Sequence, residues 1–232
     1  MTAGAVRAIC FDLDNTLWDI GPVLSRAERI LTDWLQVRYP RIPQRFSPAA
    51  VQEVRDALLL EQPQRSHDLT YLRHETLARL AEAVGYERDI AQEAFALWHA
   101  ARNECVPFDE VLPALQRLGT RYRLATLSNG NADLGVIGIA HHFEVTLHAA
   151  ALGCAKPHAR AYAALAEALT LKPAEILFVG DEPQADVVGP RNAGMQTVWV
   201  NRGASEWPSD VSPADHVVAD LNELVALLTN HS

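Results

Sequence analysis

The sequence predicts an α/β protein: a doubly wound parallel sheet, interrupted after its first strand by an all-helical domain. Three observations carry that prediction. Short apolar runs of strand length, such as Ala5 to Phe11, Tyr122 to Leu127, Glu175 to Val179 and Gln196 to Val200, alternate with helical segments, an order that implies a parallel sheet covered on both faces. From roughly Val23 to Arg102 the apolar period is helical throughout and no strand-like alternation occurs. Carboxylates, a hydroxyl and a lysine stand at the ends of the strand runs or in the loops beyond them, which is where open parallel sheets bind ligands.

The first strand runs directly into Asp12-Leu13-Asp14-Asn15-Thr16-Leu17. In the block that follows, Leu24, Ala27, Leu31, Trp34 and Leu35 make one apolar stripe, broken by Pro40 and Pro43. Ser47-Pro48 reads as an N-cap with proline at the first helical position, and Val51, Val54 and Leu58 carry that helix to about Leu60. A third helix bears Leu69, Leu72, Leu77, Leu80 and Val84, with Gly85 at its C-terminal cap. Ile90, Ala94, Leu97, Trp98 and Ala101 mark a fourth, and the block ends near Pro107.

Strand and helix then alternate again. Asp109 is expected to cap a helix through Leu118, closed by Gly119, before the strand Tyr122 to Leu127. A short helix from Ala132 to Ile139, a weak strand from Phe143 to Leu147 and an alanine-rich helix from Ala159 to Leu169 come next. Glu175 to Val179 is the clearest strand, followed by a helix from Val187 to Ala193 with Gly194 behind it. Gln196 to Val200 and His216 to Ala219 read as strands, and Leu221 to Leu228 as the last helix. The crossovers should be right-handed. Residues 1–17 and 106–232 then form the core domain and 18–105 the helical domain, with hinges near 18–22 and 103–108.

Apolar residues make up 49% of the 232, enough for a substantial core. A formal net charge of -9 argues against a nucleic-acid polymer as partner, because a phosphate backbone calls for a basic surface. It does not argue against one small phosphate, whose charge a cation and a lysine can offset. Cys10, Cys105 and Cys154 are widely spaced and form no C-x-x-C pair, so neither a disulfide framework nor a zinc site is expected. No basic segment followed by an apolar one reads as a secretory signal, and no apolar run approaches a membrane span. A reducing cytoplasm is the expected setting.

The chemistry is concentrated at the strand ends. Asp12 and Asp14 lie two residues apart and so on one side of a pleated strand. Two like charges so close repel unless one takes a proton or a cation lies between them, so the pair calls for a metal ion. Ser128 follows Leu124-Ala125-Thr126-Leu127 and precedes Asn129-Gly130, Lys156 precedes Pro157, Asp181 follows Ile176-Leu177-Phe178-Val179-Gly180, and Asp186 comes five positions later. Singly these read as turns, caps or surface loops. Jointly, a doubly wound sheet gathers them at one edge.

In this order the segments resemble the four motifs of the haloacid dehalogenase superfamily: Asp12-Leu13-Asp14-Asn15-Thr16, Ser128, Lys156-Pro157 and Gly180-Asp181-Glu182-Pro183-Gln184-Ala185-Asp186. The resemblance covers the whole chain. It implies a Rossmann-like core with a type 1 helical cap, inserted between the first and second motifs, that closes over the site and excludes water. It also implies a magnesium-dependent phosphohydrolase that cleaves a small phosphorylated metabolite through an aspartyl-phosphate. In that scheme Asp12 is the nucleophile. Asp14 is the general acid and then the base, with its backbone carbonyl on the metal. Asp181 joins Asp12 as a direct Mg2+ ligand, and Asp186 acts one step further out, through water or by orienting Lys156. Ser128 and the Asn129 amide bind phosphoryl oxygens, Lys156 offsets the charge that develops in transfer, and Thr16 braces the loop. Glu182 stands where the family more often has a small residue, and is expected to face solvent.

Other readings stay open on the motifs alone. A phosphomutase or phosphotransferase would hand the phosphoryl group to an acceptor other than water. Haloacid dehalogenases of the superfamily lack a carboxylate at the position of Asp14, so its presence favours phosphorus chemistry. A response-regulator receiver is shorter, lacks a helical insertion and has its acidic pair before a separate phosphoacceptor. A silent binding protein would not need the full catalytic set. The histidines, including His141-His142, show no H-x-x-x-H spacing and read as core or surface residues. Trp18, Trp34 and Trp98 are expected to pack. Arg73, His74, His99 and Arg102 are polar residues of the helical block, and nothing selects one of them as a leaving-group contact.

Overall fold

A computed structural model gives the fold and describes residues 6–209 and 211–230. Six strands form one sheet: β1 (Ala8–Phe11), β2 (Arg123–Ser128), β3 (Val145–His148), β4 (Ile176–Gly180), β5 (Gln196–Val200) and β6 (His216–Val218). Their order is β3-β2-β1-β4-β5-β6, and every neighbouring pair is parallel. The chain therefore winds outward from β1 in one direction and then in the other, so the reversal point lies at the carboxyl end of β1, the ligand position of doubly wound sheets. Ala5, where the sequence begins its first strand, lies outside the described residues.

The chain divides into two compact units. One takes the chain through Asp19, then Val106–Gly130 and everything from Leu134 on; the other takes Ile20–Cys105 with Asn131–Asp133. In the helical unit, α1 (Ile20–Arg38), α2 (Arg41–Arg45), α3 (Pro48–Glu61), α4 (Leu69–Ala83) and α5 (Ile90–Arg102) follow one another without a strand. Ala27, Leu31, Leu35, Leu77, Ala81, Ala94 and Trp98 make its core. The buried stripe of α1 begins at Val23 rather than at Leu24, which is 36% exposed. Ser47 Oγ accepts from Ala50 N, with Pro48 at the first helical position, as the capping pattern requires. Pro43 interrupts less than expected. It lies in the first turn of α2, where a missing N–H breaks no intrahelical bond.

The core unit carries α6 (Val111–Gly119), α7 (Leu134–Ile137), α8 (Ala149–Leu152), α9 (Ala159–Leu169), α10 (Gly189–Asn192) and α11 (Leu221–Asn230). All four residues of β1 are fully buried, the pattern of a strand covered on both faces. On one face Ala161, Tyr162, Leu165 and Leu169 of α9 pack with Ala8, Cys10, Ala125, Ile176 and Phe178. Each large apolar side chain so buried contributes about 1.5–3 kcal/mol. That packing positions the strand ends. Asp109 does not cap α6; its N-terminal flank is Glu110, which makes no side-chain capping bond. Among the described residues no helix is long and apolar enough to cross a membrane.

Candidate active site

β1 pairs with β4 one residue beyond its assigned end, since Asp12 N donates to Val179 O at 2.9 Å. The loop after Asp12 is compact. Thr16 N and Leu17 N donate to Leu13 O, and Asn15 N donates to Trp18 O at 2.7 Å. Asn15 sits at φ 62, a left-handed conformation that asparagine tolerates better than most residues. Thr16 is buried and its hydroxyl donates to Asp181 Oδ1 at 3.3 Å, tying the loop to the end of β4. From beyond β5, Arg202 donates to Thr16 O at 2.9 Å and to Glu110 Oε1 at 2.7 Å, with its guanidinium 3.8 Å over the Phe108 ring.

Lys156 is buried and bridges two acids: Nζ donates to Asp12 Oδ1 at 2.6 Å and to Asp186 Oδ1 at 2.7 Å. Its own loop is gripped by Asn129, whose side chain donates to Lys156 O at 2.9 Å and accepts from Lys156 N at 2.8 Å. That commits the Asn129 carboxamide to scaffolding, so a phosphate contact from this residue falls to its main-chain N–H. Ser128 ends β2 almost wholly buried, and its Oγ accepts from Gly130 N at 3.0 Å.

Asp181 follows β4 and leads into a π-helical turn, Pro183–Val188, a rare conformation that recurs at functional sites. Asp186 is 1% exposed and both its oxygens are engaged, Oδ1 by Lys156 and Oδ2 by Glu182 N at 3.0 Å. This favours a place outside the inner coordination sphere. Gly180 makes room for it: a Cβ there would collide with the Asp186 carboxylate. The Glu182 side chain is exposed, and Oε2 accepts from Ala185 N at 2.5 Å, capping the turn. Tyr162 supports the same turn from α9, donating its hydroxyl to Ala185 O at 2.6 Å.

The sequence-predicted residues therefore do not all converge in the same way. Asp12, Asp181 and Asp186 bring carboxylate oxygens within 4.8 Å of one another. Lys156 joins them. The Asp14 carboxylate instead accepts from Trp18 Nε1 at 2.8 Å. In the helical unit Arg73 pairs with Glu28 and lies 4.1 Å over the Trp98 ring. His99 Nε2 and Asn131 O are hydrogen-bonded at 2.8 Å, and Arg102 Nε donates to Asn131 Oδ1 at 3.1 Å, so both have structural partners there. Sequence reasoning missed the tethers made by Trp18, Asn129, Tyr162 and Arg202. Arg202 carried a signal, being a basic residue just past a strand end, and Trp18 lies only four residues from Asp14; Asn129 and Tyr162 act through contacts distant in sequence.

Three acids and one ammonium leave two negative charges, which a divalent cation matches. Burial, reinforced by the charge of Asp186, pushes Asp181 up to about 6, against an ordinary aspartate near 4. Burial also raises Asp12 well above the carboxylate range; Lys156 opposes the shift, while Asp186 and Asp14 add to it. Burial alone would lower Lys156, but Asp12 and Asp186 outweigh it and hold the ammonium charged. The donor set, hard carboxylate oxygens with no imidazole or thiolate, suits magnesium or calcium rather than zinc. A cation held among these acids would have to displace the Asp181 proton in acid. Magnesium affinity is thus expected to weaken about tenfold per pH unit below about pH 6, read by calorimetric titration of the metal-free protein. A flat affinity across that range would separate Asp181 from the metal.

A family model described as haloacid dehalogenase-like hydrolase matches residues 6–194. The chain is 32% identical over 204 residues to the 5-amino-6-(5-phospho-D-ribitylamino)uracil phosphatase YigB of Escherichia coli, covering 85% of this chain and 84% of that protein. It is 26% identical over 238 residues to the N-acylneuraminate-9-phosphatase of Mus musculus, covering 98% and 96%. Among solved structures, a 2-haloacid dehalogenase from Pseudomonas syringae superposes with a TM-score of 0.92 at 32% identity, covering 98% of this chain and all of that one.

Proposed function

The chain belongs to the haloacid dehalogenase-like hydrolase family, and from that premise we propose that it is a magnesium-dependent phosphatase acting on a small phosphorylated metabolite. One observation carries the reading: a buried lysine clamps Asp12 against Asp186 beside Asp181, while a further carboxylate, Asp14, stands two residues from Asp12 in a different environment. Acids held in different surroundings can divide nucleophile and proton-transfer roles between them.

In this reading an Asp12 oxygen attacks phosphorus, the ester P–O bond breaks, and a proton on Asp14 passes to the departing oxygen. Water then attacks the aspartyl-phosphate, its proton returns to Asp14, and Asp12 is released with inorganic phosphate. Lys156, fixed in charge and position, steadies the nucleophile and the charge that accumulates in transfer. Ser128 and the Asn129 main-chain N–H serve the phosphoryl oxygens. Asp12 and Asp181, with Asp186 behind them, would hold magnesium, which when bound offsets the charge of the acids and the phosphoryl group. The helical unit is read as a cap that excludes water during transfer. The free cysteines support a reducing compartment such as the cytoplasm.

The dehalogenase likeness supplies a second reading, against which the Asp14 carboxylate weighs. One experiment separates them. The purified protein is assayed with magnesium and with chelator against phosphorylated sugars, nucleotides, phosphoglycolate and amino-acid phosphates, and in parallel against chloropropionate with halide detection. Magnesium-dependent phosphate release without halide release is expected. Halide release with no phosphate release would overturn the phosphatase reading, and transfer to a sugar acceptor in place of water would make the chain a phosphotransferase or mutase.

A further inference from the structure

We propose that Trp18 is a positioning residue that holds Asp14 so that one carboxylate oxygen is presented to the leaving group. The proposal rests on Asp14 acting as the general acid. Trp18 is wholly buried, and a buried indole N–H takes a hydrogen-bond partner; here Nε1 donates to Asp14 Oδ1 at 2.8 Å. The main chain adds a second tie. Asp14 and Trp18 form an isolated parallel bridge, and Asn15 N donates to Trp18 O at 2.7 Å. The left-handed turn at Asn15 brings residue 18 back beside residue 14, while Leu13 and Leu17, both fully buried, anchor the loop on either side.

Asp12 Oδ1 accepts from the Lys156 ammonium, whereas Asp14 Oδ1 accepts from a neutral indole. With Oδ1 accepting from the indole, the proton to be transferred belongs on Oδ2. As the bond from Asp12 to phosphorus forms and the ester P–O bond breaks, that proton moves to the leaving oxygen; in the second half-reaction Oδ2 takes a proton from water. Loss of this bond releases Oδ1 from its fixed place, and misplacing a reacting group by about 1 Å costs on the order of 10²-fold in rate.

The test is the dependence on leaving group, because proton donation matters only when the departing oxygen is a poor leaving group. Trp18→Phe keeps most of the ring and removes the N–H. Its kcat/KM, which reports only the first half-reaction and not the water attack shared by all esters, is expected to fall on the order of 10²-fold with an alkyl phosphate and less than about threefold with dinitrophenyl phosphate, whose phenolate leaves unaided. Asp14→Asn should show the same asymmetry, and adding Trp18→Phe to it should change nothing further. Equal losses on both esters would reduce Trp18 to a packing residue and overturn the proposal. If Asp14→Asn itself shows no asymmetry, the acid role of Asp14 fails instead, so the two failures are distinguishable. Should Trp18→Phe not fold, Trp18→3-benzothienylalanine replaces only the N–H by sulfur and gives the same two readouts.

Discussion

Asp12→Asn is expected to abolish turnover, with kcat falling by on the order of 10⁴-fold or more, because the amide matches the carboxylate in size but cannot form the acyl-phosphate. The magnitude follows from position. Asp12 is 8% exposed, its amide is locked to β4, and Lys156 holds Oδ1 at 2.6 Å, so no neighbouring acid can take its place without moving the sheet. The same substitution is expected to leave the fold intact and, without magnesium, to raise the melting temperature. Burial lifts the Asp12 carboxyl well above its ordinary range, with Lys156 only partly opposing this. A raised carboxyl contributes most to stability in acid and loses that contribution as pH climbs through its folded value. Asparagine has no charge to bury, so the advantage of the variant over wild type should grow with pH in chelator. Phosphate-release kinetics and paired thermal melts read both effects. Retention of more than about 1% of activity would remove Asp12 as the nucleophile.

What the sequence made legible follows the range of the forces involved. β1 and β4 could be read because a strand buried on both faces must be apolar along its length, and β5 from its β-branched and aromatic run Thr197 to Val200. The start of α3 could be read because Ser47 and Pro48 cap it through neighbouring residues. The start of α6 could not, because Glu110 answers to Arg202 from the far side of the sequence, whereas Asp109 has only local propensity. The stretch after β4 shows the same limit. Its pattern suggests a helix from Val187; that helix, α10, starts at Gly189, and the chain reaches it through a π-helical turn from Pro183, where Glu182 caps Ala185, Asp186 reaches Lys156 and Tyr162 takes the Ala185 carbonyl. At the site, Asp12, Ser128 and Asp181 were legible as strand-end residues and Lys156 as a residue of the loop before Pro157. The different partners of Asp12 and Asp14 were not, because the Lys156 bond to Asp12 is long-range and the bond from Trp18 to Asp14 depends on the reversal at Asn15.

Lys156→Met is expected to lower kcat by on the order of 10³-fold and, in chelator, to lower the melting temperature by about 10 °C. Removing one partner from a buried ion pair costs about 3–5 kcal/mol, and for a chain of this size each kcal/mol is worth roughly 2–4 °C. Lys156 is 5% exposed and serves two carboxylates, so methionine fills its volume while leaving Asp12 and Asp186 without a counter-charge. The acids limit the damage. Asp12, already pushed up by burial, takes a proton once the ammonium is gone, so the loss should shrink in acid and widen toward neutral pH. The lysine itself adds no slope over that range. Asp12 and Asp186 outweigh burial and raise it, so its stabilisation is fully present below the unfolded value of about 10.4 and is lost only above it. Magnesium supplies the missing positive charge to the same acids and should recover most of the melting temperature, but not kcat, because it cannot reproduce the two bonds from Nζ that aim the nucleophile. An equal drop in melting temperature with and without magnesium would mean that no cation binds among Asp12, Asp181 and Asp186.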